Sequence, residues 1–358
     1  IGFLVLFVFI FIQQPSFGKS PQGERLERIK KSPNYRNGKF QNLHDTPQLT
    51  EGAGYFSVFW DFFFKDHPRV TPADEIPSVK TDLLHLNKDE DILVWFGHSS
   101  YYIQLDGKRI LTDPVFSGST SPVSFTNKSF KGTDIYTVED LPDLDYLFIT
   151  HDHWDHLDYK TILELKSKVK KVICGLGVGE HLEYWGFDKN QIIELDWNED
   201  TVLDSGFSVY CLPARHFSGR GLNGNKSLWA SFLIKAPTFT FYMGGDSGYD
   251  NHFSEIGKRF GVIDLAILEN GQYGKNWKYI HMMPKEVLQA AHDLKAKRLF
   301  PVHSSKFALS THPWDEPLNR ISELHTQKDP GLLTPMIGEK VYLKDSTQIF
   351  TSWWKNKN

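Results

Sequence analysis

Short apolar runs alternate with polar turns over most of the chain, starting at about Asp91. Runs of four to six residues rich in apolar side chains and bounded by turn residues are typical of β-strands. The runs fall into two blocks. The first block predicts strands at Ile92–Phe96, Tyr101–Leu105, Arg109–Thr112 and Tyr146–Thr150, and the second predicts strands at Phe207–Leu212, Trp229–Ile234, Phe239–Met243 and Ile263–Leu268.

Helical patterns fall between and after these strands, at Asp158–Lys168, Pro284–Leu294 and Trp314–Leu324. Pro284 stands in the first turn of its helix, where a missing N–H costs nothing. Because strand runs are mixed with helices and do not strictly alternate with them, the pattern favours two sheets packed on each other and covered by helices. We therefore predict an α/β sandwich domain over residues 91–358.

The beginning of the sequence is strongly apolar, with one glycine in residues 1–12. As a helix this run would be about 18 Å long, shorter than the roughly 30 Å hydrocarbon core of a bilayer. Ser16 and Gly18 supply the small residues of a cleavage site after Gly18. We interpret residues 1–18 as a truncated signal peptide, with a membrane segment as the alternative, and predict export to the periplasm or cell envelope.

Residues 19–90 form a proline-rich arm that we expect to pack on the main domain. Its candidate helices are interrupted by prolines, which predicts irregular structure; these are Pro21, Pro33, Pro47, Pro68, Pro72 and Pro77. The arm also contains the aromatic stretch Tyr55–Phe64. This stretch could pack as core, or it could remain exposed and make a peripheral membrane contact, since exposed apolar patches mark interaction sites.

The composition is that of a globular, slightly acidic protein. Of the 358 residues, 40% are hydrophobic and 23% are charged, which excludes a disordered chain. The net charge is −4, so there is no basic excess to bind nucleic acid. The two cysteines, Cys174 and Cys211, are too few for a disulfide framework or a thiolate zinc site. A metal would therefore be bound mainly by nitrogen and oxygen, and the 15 histidines are the first candidates.

The predicted strand Tyr146–Thr150 leads directly into an H-x-H-x-D-H sequence at His151–His156, which we call the motif segment. It places four side chains that can bind metals within six residues. Burying histidines beside carboxylates costs several kcal/mol unless something binds them. His151 and His153 could converge on one metal, while Asp155 and His156 point at another.

Two metals need more ligands than the motif segment contains, because zinc usually takes at least four donors. Three candidates stand at later strand ends: His216, Asp246 and His303, the last of which follows the run Arg298–Val302. A single histidine or aspartate after a strand is a weak signal. Three of them in this order after an H-x-H-x-D-H sequence indicate a binuclear metal site assembled from several strand ends.

This set of residues resembles the metallo-β-lactamase superfamily. The resemblance covers about Asp91 to Leu324 and implies an αββα sandwich with two metals at one edge. It implies that the first metal is bound by His151, His153 and His216, the second by Asp155, His156 and His303, and that Asp246 bridges them. We expect two Zn²⁺ ions, although Mn²⁺ or Fe²⁺ also suits imidazole and carboxylate ligands.

Further segments resemble a narrower branch. Trp95–Ser100 and Leu111–Pro114 look like the opening shared by UlaG-like lactonases and N-acylphosphatidylethanolamine phospholipase D. Five later segments favour the phospholipase side: Pro213–Phe217, Asn225–Trp229, Gly245–Tyr249, Lys278–His281 and Val302–Leu309.

The resemblance implies a phosphodiesterase of the phospholipase D type that acts on N-acylphosphatidylethanolamine-like phospholipids. Water activated between the metals would attack phosphorus, and the bond to the head-group alcohol would break to give a phosphatidic acid. Two divalent cations beside two carboxylates leave positive charge, which suits an anionic phosphodiester. Asp155 and His281 are the catalytic candidates; His281 would assist the leaving oxygen or hold the phosphate, or would only support the ligands.

His98 and Asp113 could orient metal-binding histidines through hydrogen bonds, or they could simply belong to structural turns. We expect a phospholipid or a small phosphodiester as the substrate and no nucleic acid partner. Two alternative functions stay open: a UlaG-like lactonase or other small-ester hydrolase on the same metals, and a metal-free binding protein with this fold.

Overall fold

The computed structural model describes residues 2–355, apart from the side chains of residues 2–5, 7 and 63. Ile1 of the apolar run and the Phe63 side chain of the aromatic stretch therefore lie outside the described residues. The helices are α1 Gly2–Phe11, α2 Gly23–Lys30, α3 Tyr55–Phe64, α4 Tyr159–Leu165, α5 Gly179–Tyr184, α6 His252–Phe260, α7 Pro284–Asp293 and α8 Glu316–Leu324.

The strands follow the apolar runs, with several short ones added between and after them. They are β1 Tyr35–Arg36, β2 Lys39–Phe40, β3 Ile92–Trp95, β4 Tyr101–Leu105, β5 Lys108–Thr112, β6 Leu144–Ile149, β7 Val169–Gly175, β8 Ile192–Leu195, β9 Asp200–Val202, β10 Ser208–Leu212, β11 Ser231–Lys235, β12 Thr240–Met243, β13 Ile263–Glu269, β14 Ala296–Val302, β15 Gly331–Leu332 and β16 Lys340–Tyr342.

Two mixed sheets of seven strands each form the centre of the domain. Their strand orders are β16-β3-β4-β5-β6-β7-β8 and β15-β14-β13-β12-β11-β10-β9. In the first sheet β5 to β8 are parallel, in the second β12 to β15 are parallel, and the remaining neighbours are antiparallel. Both sheets therefore have the same kind of topology, and within each the parallel strands end at a common edge.

Side chains that alternate along the strands divide the interior into layers. In β6, Tyr146 and Phe148 lie in the core between the two sheets, where the ring of Phe148 is 5.4 Å from that of Phe232. Leu147 and Ile149 point the other way, into a second core that includes side chains of α4 and α5. A third core joins the other sheet to α6, α7 and α8. The order is helix, sheet, sheet, helix, which confirms the predicted αββα sandwich.

The arm contains two helices, so the expectation that prolines break every helix there was wrong. Its prolines stand outside α2 and α3, and the intervals 22–32 and 48–67 are free of proline. The helix α2 is also held from outside. Its Arg25 forms ion pairs of 2.6–2.8 Å with three glutamates of the main domain, Glu180, Glu183 and Glu194.

The aromatic stretch is the helix α3, and much of it faces solvent. Tyr55 is 70% exposed and Phe56 is 76% exposed, while Phe62 is half-buried. Of the two interpretations of this stretch, the exposed surface fits the structure better than a core segment. Among the helices within residues 2–355, none is long and apolar enough to cross a membrane.

Candidate metal centre

The predicted ligands all stand just after strand ends. The motif segment follows β6, His216 follows β10, Asp246 follows β12 and His303 follows β14. Because these strand ends lie at the same edge of the sandwich, the structure brings all seven side chains together. Six of the seven are buried, and His153 is half-buried.

One cluster contains His151, His153, His216 and Asp246, whose candidate ligand atoms all lie within 4.8 Å of one another. The Nδ1 atom of His153 is 2.9 Å from His151 Nε2 and 3.3 Å from His216 Nε2. The Oδ2 atom of Asp246 is 3.9 Å from His151 Nε2 and 3.7 Å from His216 Nε2. Three ring nitrogens and a carboxylate oxygen thus surround one small volume.

A second cluster contains Asp155, His156 and His303, together with His98. Asp246 also contacts this cluster: its Oδ2 is 3.2 Å from His156 Nε2, and its Oδ1 is 3.2 Å from His303 Nδ1. The carboxylate of Asp246 therefore lies between the two clusters. This is the position that a bridging ligand requires.

Two atoms in the clusters test whether the residues fit metal ions. Within the described part of the chain, His156 Nε2 and Asp246 Oδ1 are buried and make no hydrogen bond of good geometry. An unsatisfied buried polar atom costs about 1–3 kcal/mol, and coordination of a cation would compensate for that cost. Imidazole and carboxylate donors in two neighbouring groups suit two divalent cations.

The protonation states also suit metal ligands. Burial holds the pKa values of His151, His216 and His303 well below the usual value, so these rings are neutral and have a free lone pair. Burial alone would raise the pKa of Asp246, but His156 and the other surrounding imidazoles hold it well below its usual range. These three histidines are therefore neutral and lie beside an ionised carboxylate, whereas neighbouring carboxylates raise the pKa of His156 against the effect of burial.

Asp113 fixes the orientation of a predicted ligand. Its Oδ2 accepts a hydrogen bond of 2.8 Å from His156 Nδ1, which leaves Nε2 facing the cluster. The same carboxylate accepts bonds from the hydroxyl and the N–H of Thr150, at 2.6 and 2.9 Å. Asp113 is therefore held where the sequence analysis expected a group that orients a histidine.

His98 contacts a carboxylate, whereas we expected it to orient a histidine. Its Nε2 lies 2.8 Å from Asp155 Oδ2, and the centre of its ring lies 4.1 Å from that of the His303 ring, with the two planes tilted by 40°. The backbones of these two histidine turns are also joined, since His303 N donates to His98 O and His98 N donates to Ser304 O, both at 2.9 Å. His98, Asp113 and His303 have φ of 53°, 42° and 67°. Such left-handed backbone persists where neighbouring contacts enforce it.

The sequence analysis missed Glu269, the last residue of β13. This carboxylate is fully buried, and its Oε2 lies 2.5 Å from Nδ1 of His281. Its Oε1 accepts a 2.6 Å hydrogen bond from Met282 N. The negative charge of Glu269 raises the pKa of His281 above its usual value, against the effect of burial. An acidic residue that ends an apolar strand at the ligand edge was the signal available in the sequence.

Asn42 of the arm was also missed. Its side chain holds the backbone of His216 on both sides, accepting from His216 N at 3.1 Å and donating to His216 O at 2.8 Å. No motif surrounds Asn42, so only the structure shows that the arm supports a predicted ligand.

A cavity of about 750 Å³ opens above the two clusters. His281 lines it beside the clusters, with its ring 5.0 Å from that of His216 and 5.3 Å from that of His303. The other walls are mostly apolar. They come from the arm just before α3, from α3 itself and from loops after the second-sheet strands, with side chains Leu49, Tyr55, Phe56, Val58, Phe59, Phe62, Phe217, Trp277, Ile280 and Leu309.

Comparison with known proteins agrees with this geometry. Residues 108–304 match the family model described as a beta-lactamase superfamily domain. An N-acyl-phosphatidylethanolamine-hydrolyzing phospholipase D of Caenorhabditis elegans is 31% identical over 331 residues, which cover 85% of this chain and 92% of that protein. The outer membrane protein RomA of Klebsiella pneumoniae is 59% identical over 99 residues, 28% of this chain and 75% of that one.

Among solved structures, Igni18, a metallo hydrolase from Ignicoccus hospitalis, superposes with a TM-score of 0.53. The superposition covers 70% of this chain and 97% of that chain at 22% identity, so it supports the fold alone. The site residues, the sandwich and the relatives converge on one conclusion. The chain belongs to the metallo-β-lactamase superfamily of metal-dependent hydrolases, in the branch that includes the N-acylphosphatidylethanolamine-hydrolysing phospholipases D.

Proposed function

We propose that this protein is a zinc-dependent phosphodiesterase of the phospholipase D type that acts on N-acylphosphatidylethanolamine-like phospholipids. The observation that carries the proposal is the apolar cavity that opens directly onto the two ligand clusters. A diester with long acyl chains has both parts that this arrangement can bind. Its phosphate is anionic and suits the metals, and its chains are apolar and suit the walls.

The size and chemistry of the cavity favour a lipid over a small cyclic ester. About 750 Å³ is in the range of pockets that bind drug-sized ligands, which is more than a small lactone fills. Aromatic side chains of α3 line one wall. The nematode relative is an N-acyl-phosphatidylethanolamine-hydrolyzing phospholipase D, which supports the same substrate class.

Each part of the site has a distinct role in this proposal. Two bound divalent cations would lower the pKa of water and neutralise charge on the phosphate. Asp246 and Asp155 hold negative charge among the imidazoles, and Asp113 keeps His156 oriented. His281 directs Nδ1 to Glu269, so its Nε2 is the ring nitrogen left for substrate. It can donate to a phosphate oxygen or to the oxygen of the departing head-group alcohol.

We also propose that the enzyme works at a membrane surface of the cell envelope. A lipid must pass from a bilayer into the cavity, and α3 offers a continuous apolar route. Tyr55, Phe56 and Phe59 line the cavity and are also among the most exposed large apolar side chains of the described residues. The name of the Klebsiella relative supports an envelope location.

Product identification tests the proposed reaction. The metal-loaded protein is incubated with N-acylphosphatidylethanolamine, ordinary phosphatidylethanolamine, bis-p-nitrophenyl phosphate and a lactone. We expect phosphatidic acid and N-acylethanolamine from the first lipid, with slower cleavage of the simple diester. Lactone opening without phosphodiester cleavage would favour the lactonase alternative. A purified protein that binds no zinc would favour a metal-free binding protein.

The His281→Ala variant tests the role of His281. We expect turnover to fall by about 10²–10⁴, the usual contribution of a positioned acid or base, while the zinc content stays at the wild-type level. His85→Ala is the matched control, because His85 is an exposed histidine paired with Asp82 on the surface. Loss of zinc from His281→Ala would show that His281 supports the ligands and does not act on the substrate.

A further inference from the structure

A short segment between α1 and α2, Pro15–Lys19, lies against the motif segment on a side that the proposed reaction does not use. The ring of Phe17 meets the ring of Trp154 edge-on, with centroids 5.1 Å apart. Trp154 is the residue between His153 and Asp155 in the motif segment. The backbone oxygen of Pro15 accepts a 2.8 Å hydrogen bond from Trp185 Nε1. We call residues 15–19 the docked segment.

Arg220 ties the docked segment to both ends of the loop that carries the ligands. Its Nε and Nη2 donate to Ser16 O at 3.1 and 2.8 Å. Its Nη1 donates to Asp152 O at 2.9 Å and to Leu157 O at 2.6 Å, and these two carbonyls flank His153, Asp155 and His156. The guanidinium also lies 4.0 Å from the centre of the Trp154 ring. Arg220 is almost completely buried, so these oxygens satisfy donors that water does not reach.

A second connection runs through His181 and Asp152. The backbone N–H of Lys19 donates to His181 Nδ1 at 2.9 Å, so the ring carries its proton on Nε2 and donates it to Asp152 Oδ2 at 3.1 Å. Asp152 is the second residue of the motif segment. Its carboxylate also accepts from Gly219 N and Ser227 Oγ, both at 2.6 Å. The docked segment is therefore linked to the motif segment by two separate sets of hydrogen bonds, one through Arg220 and one through His181.

Gly18 is required by this packing. Its φ is +72°, a conformation that favours glycine. A Cβ atom at this position would lie 2.0 Å from His181 Nδ1, which is much too close. Gly18, which suggested a signal-peptide cleavage site, is thus also explained by packing, because only glycine fits against His181 at this position.

We propose that the docked segment is a retained positioning element of the mature enzyme and that the chain is not cleaved between Gly18 and Lys19. Cleavage there would remove the Ser16 oxygen from Arg220, the Pro15 oxygen from Trp185 and the Phe17 ring from Trp154. The loop that supplies three predicted metal ligands would lose its support on that side. Of the two interpretations of residues 1–18, the contacts favour a segment that stays attached. Location in the cell envelope is compatible with this outcome.

The first test follows the fate of the segment. The complete gene is expressed in a Gram-negative host, and the folded protein is purified from the envelope and soluble fractions and analysed by intact mass and N-terminal sequencing. We expect residues 15–19 to be present in the zinc-binding protein. A zinc-binding protein that begins at Lys19 would overturn the proposal.

The second test measures zinc binding by competition with a chromophoric chelator, with Phe17→Ala as the test variant and Phe9→Ala as the control. Both variants lose a phenyl ring, but Phe9 is 58% exposed on α1. We expect the dissociation constant for zinc to rise several-fold in Phe17→Ala and to stay unchanged in Phe9→Ala. Equal affinities in the two variants would contradict a positioning role.

Gly18→Ala is the sharper variant, because the added methyl group must displace His181. It should weaken zinc binding more than Phe17→Ala does. If circular dichroism shows that Gly18→Ala does not fold, Phe17→Leu replaces it, with a smaller effect expected in the same direction. No change in Phe17→Leu would then count against the proposal. Zinc affinity does not depend on which ester is hydrolysed, so these outcomes are separate from the test of the proposed reaction.

Discussion

The charge of the buried histidines that line this site follows from what is buried beside each of them. His151, His216 and His303 are buried among other imidazoles, and their pKa values fall. His281 is buried against Glu269, and its pKa rises. The same residue type therefore supplies neutral donors in the clusters and a proton-bearing ring at the cavity wall.

The variant Glu269→Gln should show whether His281 needs the negative charge of Glu269 or only a side chain of that shape. The amide keeps the shape of the side chain but removes the negative charge 2.5 Å from Nδ1. We expect turnover to fall at least about tenfold, with zinc content and thermal stability near the wild-type values. The measurement is steady-state hydrolysis with parallel zinc analysis. Glu323→Gln, a surface change, is the control; equal activity in the two variants would contradict a role for the Glu269–His281 pair.

His252, which begins α6 six residues after Asp246, should make stability depend on pH. It is 3% exposed, and burial lowers its pKa from 6.5 to about 4. The charged groups that face it are Asp250, which opposes the shift, and Arg215 and His44, which add to it. Between pH 6.5 and 4 the unfolded chain binds a proton that the folded chain does not bind. Stability is therefore complete above pH 6.5 and falls by about 3 kcal/mol as the pH decreases through 4.

Urea unfolding of wild type and His252→Asn at pH 7.0 and 4.5 measures this effect. The chelator EDTA is present throughout, so that proton competition with metals does not differ between the proteins. We expect the wild type to lose more free energy of unfolding than the variant does between the two pH values. Equal losses would show that His252 does not contribute.

At the residue scale, sequence reasoning found groups that stand in a recognisable motif. The seven predicted ligands belong to such a motif, and the structure brings them together. Glu269 and Asn42 do not, because each acts through a partner that is distant in sequence: Glu269 meets His281, and Asn42 meets the backbone of His216. Contacts of this kind form only in the folded chain, so no local sequence pattern predicts them.

At the scale of elements, strands were easier to predict than helices of the arm. The strand β6 is recognisable because its four apolar residues at positions 146–149 stand together just before Thr150 and the motif segment. The helix α3 was missed because its aromatic residues are spread around the helix, and because the prolines of the arm, all of which stand outside α3, predicted irregular structure. Its place over the cavity depends on tertiary contacts, which periodicity does not report.

The exposed rings of α3 should bind lipid vesicles. Phe56 and Trp60 are 76% and 49% exposed, and fully burying such a side chain is worth about 1.5–3 kcal/mol. The double variant Phe56→Ser, Trp60→Ser should therefore bind phosphatidylethanolamine/phosphatidylglycerol vesicles at least about tenfold more weakly, as measured by co-sedimentation. Phe125→Ser, which removes another exposed ring outside α3, is the control. Equal binding by both variants would contradict membrane contact through α3.

At the scale of the whole molecule, the metal centre joins the two sheets. The motif segment comes from the first sheet, and His216, Asp246 and His303 come from the second. In the absence of cations, His156 Nε2 and Asp246 Oδ1 are buried without a hydrogen bond of good geometry. Bound metal should therefore stabilise the complete sandwich and not only the local loops.

Removal of metal should lower the melting temperature. Zinc at 100 times its dissociation constant contributes about 2.7 kcal/mol, which corresponds to roughly 4–5 °C for a chain of this size. Calorimetry of EDTA-treated protein before and after zinc addition measures the shift. In the Asp246→Asn variant, which lacks the charge of the proposed bridging carboxylate, zinc should raise the melting temperature much less than in wild type. A wild-type melting temperature that does not change when zinc is added would contradict a structural contribution of the metals.

The cavity above the two clusters is formed by different stretches of the chain. The reactive centre is built by the sandwich, whereas α3 in the arm supplies one wall of the cavity. The residues of α3 that would contact the substrate and the predicted metal ligands thus lie in different parts of the sequence. For the proposed lipid substrate, we expect substitutions in residues 55–62 to change which acyl chains are accepted while the predicted metal ligands stay the same, so that one lineage can adapt to new lipids with an unchanged metal centre.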